Sequence, residues 1–251
     1  MCIAVASQMV FATYVAMFYG RAALAGAPER WNRVLPHGYV AGDHLFNGVL
    51  ALHLLLAVAI VLAGTAQLLP ALRRHVPAVH RWNGRLYLLC ALALSLGGLA
   101  MIWVRGGAAG DIGQHLGTSV NALLIVAFVA MAWRDARAGR IAAHRRWALR
   151  LFLAVGGVWF FRIGLMFWLA INRGPAGFDP DSFVGPALTT LAFAQTLLPL
   201  AVLELYLHAL DSRRRALQWL ATCTLALMSL VTVIGTAAAT VGMWWPMLRP
   251  A

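Results

Sequence analysis

Long apolar runs alternate along the chain with short polar breaks rich in glycine and proline. Seven runs stand out, at 2–20, 44–69, 83–104, 113–133, 148–171, 186–210 and 216–245. A continuous run of about 20 residues crosses ~30 Å of hydrocarbon as a helix, whereas membrane strands alternate apolar and polar positions. The breaks carry turn chemistry: Pro28, Pro36, Gly38 and Gly42 in the first, Pro70 and Pro77 around a basic turn, and glycines from Gly106 to Gly113. A later break, Gly174 to Pro186, carries Asp179 and Asp181, and Arg213-Arg214-Arg215 divides the last two runs. The pattern predicts an all-α, polytopic membrane helix bundle of about seven spans, forming a single transmembrane domain over 1–251.

Two of the breaks are versions of each other. His80-Arg81-Trp82-Asn83-Gly84-Arg85-Leu86-Tyr87 opens the third run, and His144-Arg145-Arg146-Trp147-Ala148-Leu149-Arg150 opens the fifth. Each follows an apolar run with its own histidine, at separations of 27 residues (His53 to His80) and 29 (His115 to His144). This predicts a four-helix core made from two repeated hairpins, 44–104 and 113–171.

Composition fixes the solvent. With 62% hydrophobic and 11% charged residues, the chain does not match an ordinary soluble domain. The charge of +12 invites a nucleic-acid reading, but its arginines lie in short loops between spans, where membrane topology explains them. Thirteen of the twenty arginines fall in 70–85, 134–150 and 211–215. Six stand on the other side, at Arg21, Arg30, Arg33, Arg105, Arg173 and Arg249. The positive-inside bias then expects both His-Arg motifs and the N-terminus on the cytoplasmic side of a bacterial inner membrane. The first run is expected to be an uncleaved span, since no basic residue precedes it. Cys2, Cys90 and Cys223 show neither a disulfide framework nor zinc spacing.

Chemistry enters through the polar residues inside the runs. At ~1.5 Å per residue, His53 and His115 are expected ~25–28 Å from the inner ends of their helices, at matched height, with His80 and His144 matched near the inner side. Imidazole is the common axial ligand of haem iron, and a b-type haem in a bundle needs two at one height on facing helices. His53 with His115, and His80 with His144, are therefore candidate metal ligands. Arg162 outside, and Arg81, Arg85, Arg145 or Arg150 inside, would neutralise the propionates. Gly97-Gly98 and Gly156-Gly157 would permit close approach of a helix or a flat cofactor. The same His-Arg pairs also fit a snorkelling collar that binds lipid headgroups.

Arg162 costs at least ~2.5–3.5 kcal/mol in hydrocarbon and wants a partner. Asn121 and Gln195, at a similar depth, complete a candidate cofactor-binding cluster. The functional expectation is haem b and electron transfer, with a quinone or a redox protein as partner. The alternative is a haem-free binding or accessory subunit that holds a lipid, quinone or small anion at the Arg162 cluster. A transporter is a third class, although this repeat is parallel rather than inverted. Glu204 and His208, four residues apart, are a weaker acid-base pair. No HExxH, P-loop, GxSxG or CxxC is present.

On Gly64-Thr65-Ala66-Gln67 followed by the two His-Arg motifs, the chain resembles a family of uncharacterised bacterial multi-pass membrane proteins with a domain of unknown function, over roughly 45–210. Ala148 departs from the methionine expected in the second motif. The resemblance implies a helical membrane fold and no activity. The order of the four histidines also resembles the di-haem transmembrane ascorbate-dependent reductases. That likeness implies pairing of the first core helix with the third and the second with the fourth.

Overall fold

The computed structural model of the protein describes residues 2–35, 37–106 and 110–249; Pro36 and part of the glycine turn lie outside the described residues. The helices are α1 (Cys2–Leu24), α2 (His44–Leu68), α3 (Pro70–His75), α4 (Pro77–Trp103) and α5 (Ile112–Arg137). They continue with α6 (Ile141–Val155), α7 (Gly157–Asn172), α8 (Pro186–Asp211), α9 (Arg215–Ala239) and α10 (Trp245–Leu248). A 3₁₀ turn, Pro28–Arg33, follows α1, and a π-helical turn, Thr240–Trp244, joins α9 to α10.

Six of these segments are long and apolar enough to span a membrane, and α6 with α7 forms a seventh, bent by 52°. The fifth apolar run is thus a broken span. In an unbroken helix the Ala154 carbonyl would accept from the N–H four residues on. Here Asn121 Nδ2 of α5 donates to it at 2.8 Å, and also lies 2.6 Å from Thr196 Oγ1 of α8. An inserted side chain and a glycine pair are recognised causes of a kink, and inside a bilayer the freed carbonyl must find such a partner.

Helix starts follow local chemistry. The Asp43 carboxylate accepts from the Phe46 N–H and caps α2, and that of Asp111 accepts from the Gln114 N–H and caps α5. Proline opens α3, α4 and α8, where its missing N–H has no helical partner to lose. The helices of both His-Arg motifs begin earlier than the apolar runs, so His80 and His144 lie within α4 and α6.

The packing has two parts. Ile60 and Ala63 of α2, Tyr87, Cys90 and Ala91 of α4, Ile125, Phe128 and Val129 of α5, and Leu151 and Ala154 of α6 form one buried cluster. This is the four-helix core, and α2 meets α6 where Gly64 faces Phe152. A second cluster joins α1 and the 3₁₀ turn to Leu50, to Trp159 and Ile163 of α7, and to Trp244. Close approach makes it possible: a Cβ at Gly235 of α9 would stand 2.5 Å from the Ile163 carbonyl oxygen of α7. Outside both clusters, large apolar side chains such as Leu55, Leu89, Leu123 and Leu227 point outward, as lipid contact requires.

Candidate functional site

The four histidines occupy four different helices of the core, and three of them have a buried ring nitrogen without a hydrogen-bond partner. His53 of α2 lies against the diglycine of α4: a Cβ at Gly97 would stand 3.8 Å from its Nδ1, and one at Gly98 the same distance from its Cε1. His53 Nδ1 is buried without a hydrogen-bond partner. His115 of α5 meets the edge of Trp103 of α4, ring centroids 6.4 Å apart, and its Nε2 is likewise buried and unpartnered. Trp103 is held there by donating from Nε1 to Ser119 Oγ at 2.9 Å, while Ser119 donates to the His115 carbonyl.

On the face that carries the His-Arg motifs, His80 has a buried, unpartnered Nδ1. Gln67 Nε2 donates to the His80 carbonyl at 2.8 Å and pins the first turn of α4. His144 Nδ1 sits 2.9 Å from the Ala132 carbonyl. A carbonyl can only accept, so Nδ1 donates in that contact and Nε2 lies outside it.

The heights compare differently at the two ends. His80 and His144 are each in the first turn of their helices, α4 and α6. His53 and His115 instead contact α4 at Gly97-Gly98 and at Trp103, five to six residues apart, which is ~8 Å along a helix. Both lean on the same neighbour but at different levels, unlike the matched heights that helix lengths suggested.

The arginines expected to serve propionates divide. Arg150 is engaged: Nε and Nη2 form a fork on Glu204 at 2.7 and 2.8 Å, with the guanidinium stacked on Trp147. Arg85 stacks on exposed Trp82, and Arg81 and Arg145 are exposed. Glu204 therefore does not pair with His208, whose Nδ1 contacts the Glu204 backbone carbonyl. Asn121 is the strut of the α6–α7 break, and Gln195 donates to the Ala192 carbonyl of its own helix.

Arg162 faces away from Asn121 and Gln195, into the second cluster. Its guanidinium lies 5.8 Å from the Phe11 ring centroid, and its Nη1 donates to Met243 Sδ at 4.0 Å. Arg162 Nε, Tyr14 Oη, Tyr19 Oη and Trp244 Nε1 are all buried without partners. Tyr14 stacks on Trp244 and meets Tyr19 edge-on, so the four polar atoms belong to one aromatic chamber. Among the described residues no carboxylate pairs with Arg162. Sequence reasoning named Arg162 but missed Tyr14, Tyr19 and Trp244. Their signal was a polar-tipped aromatic deep in an apolar run, and the π-helical turn at Trp244 is a feature often found at functional sites.

A family model described as "Predicted membrane protein (DUF2306)" matches residues 50–197, more than half of the chain. The chain belongs to this family. Its domain has no assigned function, and the matched segment contains all four core histidines together with Arg162. The DUF2306 segment excludes α1, α9 and the C-terminal turn, which supply Tyr14, Tyr19 and Trp244. No curated protein and no solved structure matches the chain.

Proposed function

We propose that this DUF2306 protein is a membrane-embedded, b-type cytochrome-like electron carrier whose core histidines ligate haem. The observation that carries the reading is the state of the imidazoles. Three have a buried ring nitrogen with no partner, and the fourth is turned by a backbone carbonyl so that its other nitrogen is free. A buried polar atom left unsatisfied costs about 1–3 kcal/mol, and a ligand bond to a metal removes that penalty. Haem, when bound, supplies one-electron chemistry at a potential set by its axial ligands and surroundings.

The chain's own residues would do the rest. The Ala132 carbonyl fixes the orientation of the His144 ring and leaves Nε2 as the nitrogen that would meet the iron. Gln67 holds the helix turn that carries His80. Arg81, Arg85 and Arg145 offer exposed charge for anionic groups on that face. Gly97-Gly98 presents a flat wall to His53. The His80–His144 end fits best, because the other two imidazoles reach α4 at different levels. In the bacterial inner membrane, with the His-Arg face cytoplasmic, a membrane quinol or a soluble redox protein would supply the electrons.

The test is an absorption spectrum of the purified protein, oxidised and dithionite-reduced, from cells supplied with a haem precursor, together with extracted haem per chain. Sharp reduced bands that vanish in His80→Ala and His144→Ala, while size-exclusion profile and helical signal stay intact, are expected. A colourless, monodisperse wild-type protein rejects the proposal. The Arg162 chamber supports a second reading, a haem-free binding subunit. It holds three unpartnered donors, Tyr14 Oη, Tyr19 Oη and Trp244 Nε1, around an unneutralised cation, so a quinone carbonyl or a small anion would suit it.

A further inference from the structure

Four of the six arginines on the face opposite the His-Arg motifs gather in one place. Arg21 at the end of α1, Arg30 and Arg33 of the 3₁₀ turn, and Arg249 after α10 line a cleft of about 560 Å³. Its floor is apolar: Met17, Phe18 and Ala22 of α1, with Met247 and Leu248 of α10. Among the described residues none of these four arginines forms a salt bridge. By contrast Arg105, on the same face, is neutralised by Asp43 at 3.2 Å and donates to the Gly38 carbonyl. Like charges held together without acids repel, and their clustering runs against the bias that keeps arginine to the other side. Phe18, in the floor, stacks on Tyr14 of the Arg162 chamber, so the unneutralised Arg162 lies behind it and adds to the positive field.

We infer that this cleft binds a phosphate-bearing anion with an apolar portion. Several guanidiniums can donate in forks to the oxygens of one phosphate, whereas a single carboxylate would answer only one of them. The methionine and phenylalanine floor gives the attached chain or glycerol backbone a place to lie. The source is either the headgroup of an anionic phospholipid or a soluble organic phosphate, which share this chemistry. The site is separate from the histidine core: its lining residues all lie outside 50–197.

The experiment uses the full chain in an uncharged detergent, with phosphatidylglycerol and phosphatidylcholine as lipid probes and glycerol 3-phosphate as the soluble one. Lipid retention is read by native mass spectrometry and compared among wild type, Arg21→Gln/Arg33→Gln, Arg30→Gln/Arg249→Gln and the control Arg213→Gln. All these side chains are exposed, and size exclusion with helical signal verifies folding. Phosphatidylglycerol retention is expected to fall at least about fivefold in both double variants, to stay in the control, and to weaken as salt rises. If glycerol 3-phosphate displaces the lipid, or alone raises the melting temperature in a manner lost in the double variants, the soluble source is identified. Displacement failure with specific lipid loss identifies the headgroup. Equal retention of both lipids, equal retention across variants, or no binding of any probe overturns the inference.

Discussion

Arg162 poses the sharpest question at the scale of single residues. A cation among Phe11, Tyr14 and Trp244, with an unpartnered Nε, pays insertion cost and returns little in helix packing. Arg162→Met keeps the length and removes the charge, so the melting temperature of the apo protein should hold or rise. A fall of more than a few degrees would show that the guanidinium ties helices together instead. Asp179, in the loop before α8, behaves differently. Its carboxylate is held below the usual range by the Ser182 hydroxyl at 2.6 Å, then by the backbone N–H groups of Asp181 and Ser182. A lowered folded value means that the ionised form is the one the loop favours. Its contribution is full above the ordinary carboxylate value of about 4 and is lost as pH falls through the lowered folded value. Protection of the Asp181 and Ser182 amides from hydrogen exchange should follow that course, and Asp179→Ala should abolish it at every pH.

Among elements, the α6–α7 break decides most. The Gly156-Gly157 pair was legible as a place of close approach, but a bend of 52° was not. The carbonyl freed at the bend is met by Asn121, which lies in a different helix and 33 residues away. Asn121→Ala should cost about 1–3 kcal/mol by leaving Ala154 O unpartnered in a bilayer-buried position. Thermal unfolding in detergent measures it, and an unchanged midpoint would mean that water fills the break. By depth along the apolar runs, Asn121 groups with Arg162. Depth along a run carries no information on which way a side chain points once the helix is broken, so the grouping did not hold. Repeated motifs at near-equal spacing predict equal helix pairs, but α4 is one helix whereas its counterpart is broken into α6 and α7.

The whole molecule has two tryptophan belts. Trp82, Trp133 and Trp219 are exposed at the His-Arg face, and Trp103, Trp168 and Trp245 at the opposite one. Indole rings favour the headgroup region, so the belts mark the two boundaries of the hydrocarbon. Ionic ties close the His-Arg face: buried Asp135 is gripped by Arg134 and Arg140, and Arg146 pairs with Asp211 at 2.7 Å. The arginine bias alone would put the His-Arg face inside, an expectation that can be read directly. In a background without Cys2, Cys90 and Cys223, a cysteine replacing Ser212 should react with an impermeant maleimide only in inverted vesicles. One replacing Asp181 should react only in intact cells. The reverse pattern would turn the protein over.

The helical membrane class and the apolar spans were legible in the chain alone, because backbone groups in lipid must bond within helices and runs of about 20 apolar residues are long enough to cross. The histidines could be named from their spacing, and so could Arg162. Contacts between distant segments decided what surrounds them. His53 and His115 meet α4 at different levels, Arg150 turns to Glu204, and Arg162 looks toward α1 and the C-terminal turn. Spacing gives height along one helix, but the rotation and tilt of each helix against its neighbours come from packing. That packing brings Arg21, Arg30, Arg33 and Arg249 into one cleft from opposite ends of the chain.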